Sequence, residues 1–115
     1  MTQKKRTKWN RQHQFKRKKS NAKGVGHPVY IFASSNRRRK YLTFTHDRDN
    51  KFPDKVPLQH NIDPDVVDPN NKTYVLPYYS IDRDDAFDPL DKRYRIHKDD
   101  LGVIRKYQKI PKRKK

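Results

Sequence analysis

A mainly β fold is predicted, a small antiparallel barrel with one short C-terminal helix and basic disordered tails. Three observations predict it. The apolar residues fall in short β-branched and aromatic runs, at residues 29–32, 41–45 and 73–76, which is strand composition. Stretches rich in Asp, Asn and Pro separate the runs, and such turn chemistry favours an all-β architecture over alternating βαβ units. One three-residue periodicity, Leu101, Ile104 and Tyr107, stands near the end and marks a helix.

The first segment, residues 1–23, holds ten Lys/Arg, no acid, and little apolar material besides Trp9, Phe15 and Ala22. Such a segment cannot bury enough surface to fold alone, so a disordered basic arm is expected. Trp9, His13 and Phe15 interleave with its cations and either stack on unpaired bases or dock back on the domain. The barrel domain is assigned to residues 24–108. Its first strand is the uninterrupted run 29–32, with Pro28 at the one strand position where a missing N–H costs nothing. Residues 33–40, ASSNRRRK, have loop composition. They link to a second strand at 41–45, where Leu42 and Phe44 alternate with Thr43 and Thr45. The pair reads as a hairpin with a long basic tip.

Residues 47–71 read as a long ordered loop that covers something, with a short strand near residues 56–58. DPNNKT is a turn signal. Residues 73–76 form a strand, Pro77 marks its end or an edge position, and residues 78–81 continue extended. A further loop returns to a short strand at 94–96. Asp99 and Asp100 precede the helix and Lys/Arg residues end it, the order its dipole favours, although Gly102 weakens it. Residues 109–115 form a basic tail.

Charge placement says more than total charge. The 115 residues carry 30 Lys+Arg and 13 acids, all Asp, for a net charge of +17. Residues 24–104 are balanced, thirteen basic against thirteen acidic, so residues 1–23 and 105–115 carry the whole excess, 10 + 7 = 17. A neutral middle folds without self-repulsion while the tails offer a field to a polyanion. Nucleic-acid phosphate is the expected partner; solubility or lipid headgroups are the alternatives. With no Cys there is no disulfide framework, thiolate zinc site or cysteine nucleophile. No apolar run approaches the ~20 residues that span a bilayer, and no apolar segment follows the cationic N-terminus as in a secretory signal. A cytoplasmic protein with no membrane span is expected.

The stretch GVGHPVYIFASSNRRRKYLTFTH resembles the first half of the MazF/PemK-like mRNA interferase toxins. Gly24, Gly26, Pro28, the run 29–32 and Thr45 stand in matching places. TYVLPYYSIDRDDAF is similar to the strand that leads into an extended segment in that family, and RIHKDDLGVIRKY to its closing helix. The resemblance spans residues 24–108. It implies an SH3-like barrel, an endoribonuclease of the toxin–antitoxin type, a homodimer, and an antitoxin-like protein partner. Two features depart from the pattern. The family's functional arginine before the proline is His27 here, and the long N-terminal arm is foreign to those toxins.

The implied chemistry is attack of a ribose 2′-OH on the adjacent phosphate, which needs a base, an acid and donors for the phosphorane charge. Histidine moves protons near neutral pH where arginine does not. His27 is therefore the candidate base or acid, Thr45 the candidate phosphate ligand, and His46 or an arginine of residues 37–39 the partner. The simpler readings are a turn-closing His27 and a Thr45 that is merely a good strand residue. His46 falls on the opposite face from Thr45 if the strand continues straight. The candidate nucleic-acid contacts are Lys4, Lys5, Arg6, Lys8, Trp9, Arg11, Lys16, Arg17, Lys18 and Lys19 in the arm, and Arg37, Arg38, Arg39 and Lys40 at the tip. Tyr74, Tyr78 and Tyr79 are read as packing residues first and stacking platforms second. His60 and His97, near Asp63 and Asp100, imitate metal-ligand spacing but lie in separate loops, so no metal and no cofactor are expected. RNA is expected ahead of DNA. A non-catalytic RNA- or DNA-binding module of a ribonucleoprotein or mobile element is the alternative, and a protein-binding inhibitor or adaptor is the third.

Overall fold

The computed structural model describes residues 8–19, 27–46, 52–66, 68, 71–90 and 93–112, with His46 described by its backbone alone. Lys4, Lys5 and Arg6 lie outside these residues. Six strands form one antiparallel sheet: β1 (Asn10–Lys18), β2 (Pro28–Ser35), β3 (Arg38–His46), β4 (Val56–Pro57), β5 (Thr73–Arg83) and β6 (Phe87–Asp88), in the order β4-β5-β3-β2-β1-β6. A single helix, α1 (Leu101–Tyr107), follows near the C-terminus. The small, mainly β fold with its short late helix is thus as the apolar runs predict.

One 3₁₀ turn, Asp84–Ala86, separates β5 from β6. A single stretch of chain therefore pairs with β3 through β5 and with β1 through β6. The two ends of the β5-β3-β2-β1-β6 run are covalent neighbours, which curls the sheet into a barrel-like closure.

Both faces of the central strands are covered. Phe32, Leu42, Phe44 and Val75 pack with Ile104 and Tyr107 of α1 and with Leu58 and Ile62 of the long loop. Val29, Ile31 and Tyr41 pack with Phe87 in a second cluster. Burial on two sides is why residues 29–32 carry no polar interruption. Each fully buried Leu, Ile or Phe contributes about 1.5–3 kcal/mol, and Phe44, Ile31 and Leu42 are the largest such side chains.

The structure corrects three expectations. Residues 10–18 of the basic arm are strand β1, hydrogen-bonded between β2 and β6. The ladder uses backbone groups and so tolerates Arg, Gln and Lys side chains. Phe15 anchors it against Tyr30, Phe44 and Tyr94, at ring separations of 5.0, 5.7 and 5.8 Å. The docking alternative therefore holds for Phe15, and His13 meets the Tyr30 hydroxyl through Nδ1. Second, residues 33–40 are not a loop. Ser35 and Arg38 are paired, and Asn36 (φ 43°) and Arg37 (φ 64°) form a two-residue turn with the two positive φ angles of type I′. Third, residues 94–96 form no strand; Arg95 donates one backbone bond to Ile62, at 2.8 Å.

Pro77 neither ends β5 nor sits at its margin. The β3–β5 register shifts between Leu42↔Tyr79 and Phe44↔Val75, so Pro77 occupies an irregularity where no ladder N–H is required.

Candidate nucleic-acid interface

The register gathers basic residues from distant parts of the sequence at one end of the sheet. Asn10 pairs with Ser34, Ser34 with Arg39, and Arg39 with Asp82, a row across four strands. Exposed Lys8 and Arg11 flank Asn10, which brings them toward the turn that carries Arg37 and Arg38. Arg38 pairs directly with Arg83 of β5, and both are exposed. From the C-terminus, Lys112 donates its backbone N–H to Tyr79 at 2.9 Å, beside the Tyr79–Pro111 bridge. Lys40 lies over Trp9 at 4.4 Å and over Tyr79 at 5.2 Å, a cation–π pair that holds the start of the arm against the tip. Exposed Asp84 and Asp85 stand at the same end, and the Asp84 N–H donates to the Arg37 carbonyl at 2.7 Å.

At the other terminus of β1 two lysines are paired with acids, and barrel closure brings Lys18 to Asp82 of the same cross-strand row. Lys18 Nζ is 3.0 Å from Asp82 Oδ2 and Lys19 Nζ 3.9 Å from Asp88 Oδ1. The Tyr41 hydroxyl also donates to Asp82. Burial disfavours the Asp82 carboxylate, but the hydrogen bonds from Tyr41 and Lys18 outweigh it and hold the carboxyl below its ordinary range. Burial, followed by the neighbouring Asp82, pushes the Tyr41 hydroxyl well above the ordinary phenol range. Lys16 and Arg17 are half-buried.

The proposed catalytic residues lie at the other end of the hairpin. Val29 pairs with Thr43, so His27, just before β2, and Thr45, late in β3, are at the same end. Thr45 is only 1% exposed. It borders a cleft of about 200 Å³ whose polar wall includes Asn61, Asp63, Asn71 and Thr73, with Pro28 at its edge. His27 is half-buried, and its ring meets Phe52 edge-on at 5.4 Å. Asn61, Ile62, Asp63 and Val66 of the long loop supply one wall of the cleft. The His46 side chain lies outside the described residues.

Two features escaped the sequence reading. Arg83 joins the tip only through β5 pairing, and no local signal marks it. Asp100 is 2% exposed and accepts from the backbone N–H groups of Gln59 (2.8 Å) and His60 (3.0 Å), tying the start of α1 to the long loop. Among the described residues, one group has metal-ligating composition, formed by His60, His97 and Asp99.

Comparison with protein-family models, with curated proteins and with solved structures finds no match to the chain. Among the described residues no helix is long and apolar enough to cross a membrane.

Proposed function

We propose that the chain binds nucleic acid, RNA ahead of DNA, through the basic end of its sheet. The supporting observation is the convergence of cations from four separate stretches of chain, centred on Arg38 opposite Arg83. Like charges directly across a ladder destabilise a sheet, and a bound phosphate reverses that cost. Eight cations (Lys8, Arg11, Arg37, Arg38, Arg39, Lys40, Arg83, Lys112) stand near three acids (Asp82, Asp84, Asp85), of which Asp82 already serves Tyr41 and Lys18. The resemblance to interferase toxins orders RNA ahead of DNA. Trp9, the one tryptophan, lies in the arm beside this surface and serves as an internal probe.

The test is Trp9 fluorescence and anisotropy with labelled single-stranded RNA, single-stranded DNA and duplex DNA over a salt series. Binding should weaken along a linear log–log plot, by about 0.7 in slope per phosphate neutralised on a single strand. Arg38→Ala and Arg83→Ala should each lower that slope by roughly one contact. Salt-independent binding, or unchanged slopes in both variants, would overturn the proposal.

RNA cleavage is the second reading, favoured by the position of His27 and Thr45 at one end of the β2–β3 hairpin. Burial of Thr45 puts it behind simple binding, because a scissile phosphate must enter the cleft beside Asp63. Wild type should cut a mixed RNA pool, and His27→Ala and Thr45→Ala should each abolish cutting while the fold survives. Cutting retained in both variants would remove the site assignment.

A further inference from the structure

We infer that His60, His97 and Asp99 form a binding site for a divalent transition-metal ion of the zinc class. The expectation of no metal rested on the separation of the two histidines in sequence, and the fold removes that separation. His60 Nε2 lies 2.9 Å from Asp99 Oδ2, and His97 Nδ1 lies 3.4 Å from the same oxygen. The imidazole rings stack with centroids 3.6 Å apart and planes inclined by 22°. One candidate ligand atom from each residue falls within 4.8 Å of the others. Zinc takes His nitrogen and Asp oxygen at ~2.0–2.2 Å in tetrahedral geometry, which sets ligand atoms about 3.3 Å apart. The stacked rings must rotate out of their near-parallel arrangement for their in-plane nitrogen lone pairs to converge on one ion at that spacing.

The surroundings hold the ligands in place without the ion. Asp100 fixes the backbone of His60 through the two N–H bonds from Gln59 and His60. His97 begins the turn that carries Asp99; without the ion its Nδ1 accepts the Asp99 backbone N–H at 3.1 Å, and ligation through Nδ1 replaces that bond. The Asp100 bonds do for the site what outer-shell partners do in metalloproteins, which is to position a ligand before the ion arrives. Three protein ligands leave a fourth position for water, so the ion exchanges with solvent. Its mechanical effect is to staple the long loop, which walls the Thr45 cleft, to the entrance of α1. The site stands apart from the basic end of the sheet, so it neither requires nor supports the nucleic-acid proposal.

The experiment titrates the full chain with Co²⁺, followed by visible absorption, and with Zn²⁺, followed by the thermal midpoint. One ion per chain should bind at micromolar concentration, with the absorption bands of tetrahedral cobalt and a midpoint that rises with free zinc. His60 and Asp99 are exposed, so His60→Ala and Asp99→Asn keep the fold, and each should abolish the tetrahedral spectrum. Asp100→Asn keeps all three ligands and should weaken binding by the roughly 10–100-fold typical of outer-shell changes. No saturation at micromolar ion, or an unchanged cobalt spectrum in both His60→Ala and Asp99→Asn, would overturn the inference.

Discussion

Asp100 offers the sharpest test of how the barrel and its covering loop are joined. Its carboxylate is buried and accepts two backbone N–H bonds, at 2.8 and 3.0 Å, from Gln59 and His60. Hydrogen bonds to a charged group contribute about 1.5–3 kcal/mol each. Asp100→Ala removes both, and because Gln59 and His60 are exposed, water recovers part of the loss. The lower end, about 3 kcal/mol, is therefore expected for Ala from the per-bond values above. Asp100→Asn keeps one acceptor oxygen and should cost about 2 kcal/mol. In a domain of this size each kcal/mol moves the thermal midpoint by roughly 4–8 °C, so Ala should lower it by at least about 12 °C. Thermal unfolding followed by circular dichroism measures the shift, and amide exchange at Gln59 and His60 should accelerate before global unfolding. A drop under about 4 °C for Asp100→Ala, with those amides still protected, would refute the clamp.

Arg37 holds a positive φ at a turn position suited to glycine, so Arg37→Gly should raise the urea midpoint by the equivalent of about 1 kcal/mol; a loss of stability would contradict the turn assignment. The Tyr41–Asp82 pair gives a pH profile with two limbs. Asp82 has a lowered folded value, so its contribution is present above the ordinary range near pH ~3.9 and lost as pH falls through the lower folded value. Tyr41 has a raised folded value, so its contribution is complete below about pH 10 and lost as pH rises toward that value. Thermal midpoints across pH should flatten on both limbs in Tyr41→Phe, and an unchanged profile would count against the pair. Lys18→Gln should cost up to about 1 kcal/mol of stability, because its charge is spent on Asp82, yet leave the salt slope of nucleic-acid binding unchanged; a lowered slope would place Lys18 in the interface.

The strands with apolar side chains on both faces were legible. Residues 29–32 and 73–76 concentrate β-branched and aromatic types because two-sided burial demands them. The helix was legible from Leu101, Ile104 and Tyr107, of which the last two are buried. Strand β1 was not, since its ladder is made of backbone groups and Phe15 alone carries an apolar signal. The tight turn was hidden for a related reason. Ser34, Ser35 and Arg38 to Lys40 have loop composition, but two positive φ angles at Asn36 and Arg37 suffice to make them strand. The basic surface was legible as charge at Arg37 to Lys40 and in the arm, whereas the arrival of Arg83 and Lys112 depends on β5 register and a C-terminal bridge. His60 and His97 stood out in the sequence as residue types, but their contact did not, because loop proximity is a property of the closed fold.

Barrel closure also sorts the cations. The β5–β6 crossing carries Asp82 and Asp88 to one end of β1, where they meet Lys18 and Lys19. Arg83, the next residue of β5, faces Arg38 across the β3–β5 ladder, so the paired and the opposed cations meet at neighbouring positions. A basic strand thus enters a sheet with Lys18 and Lys19 compensated by acids of the β5–β6 stretch, while Lys8 and Arg11 stand exposed. Both ion pairs are partly exposed and screened, so pairing them contributes at most about 1 kcal/mol each. The contrast between paired Lys18 and Lys19 and exposed Lys8 and Arg11 therefore follows from where Asp82 and Asp88 fall in the chain, beside the end of β1 and not its beginning.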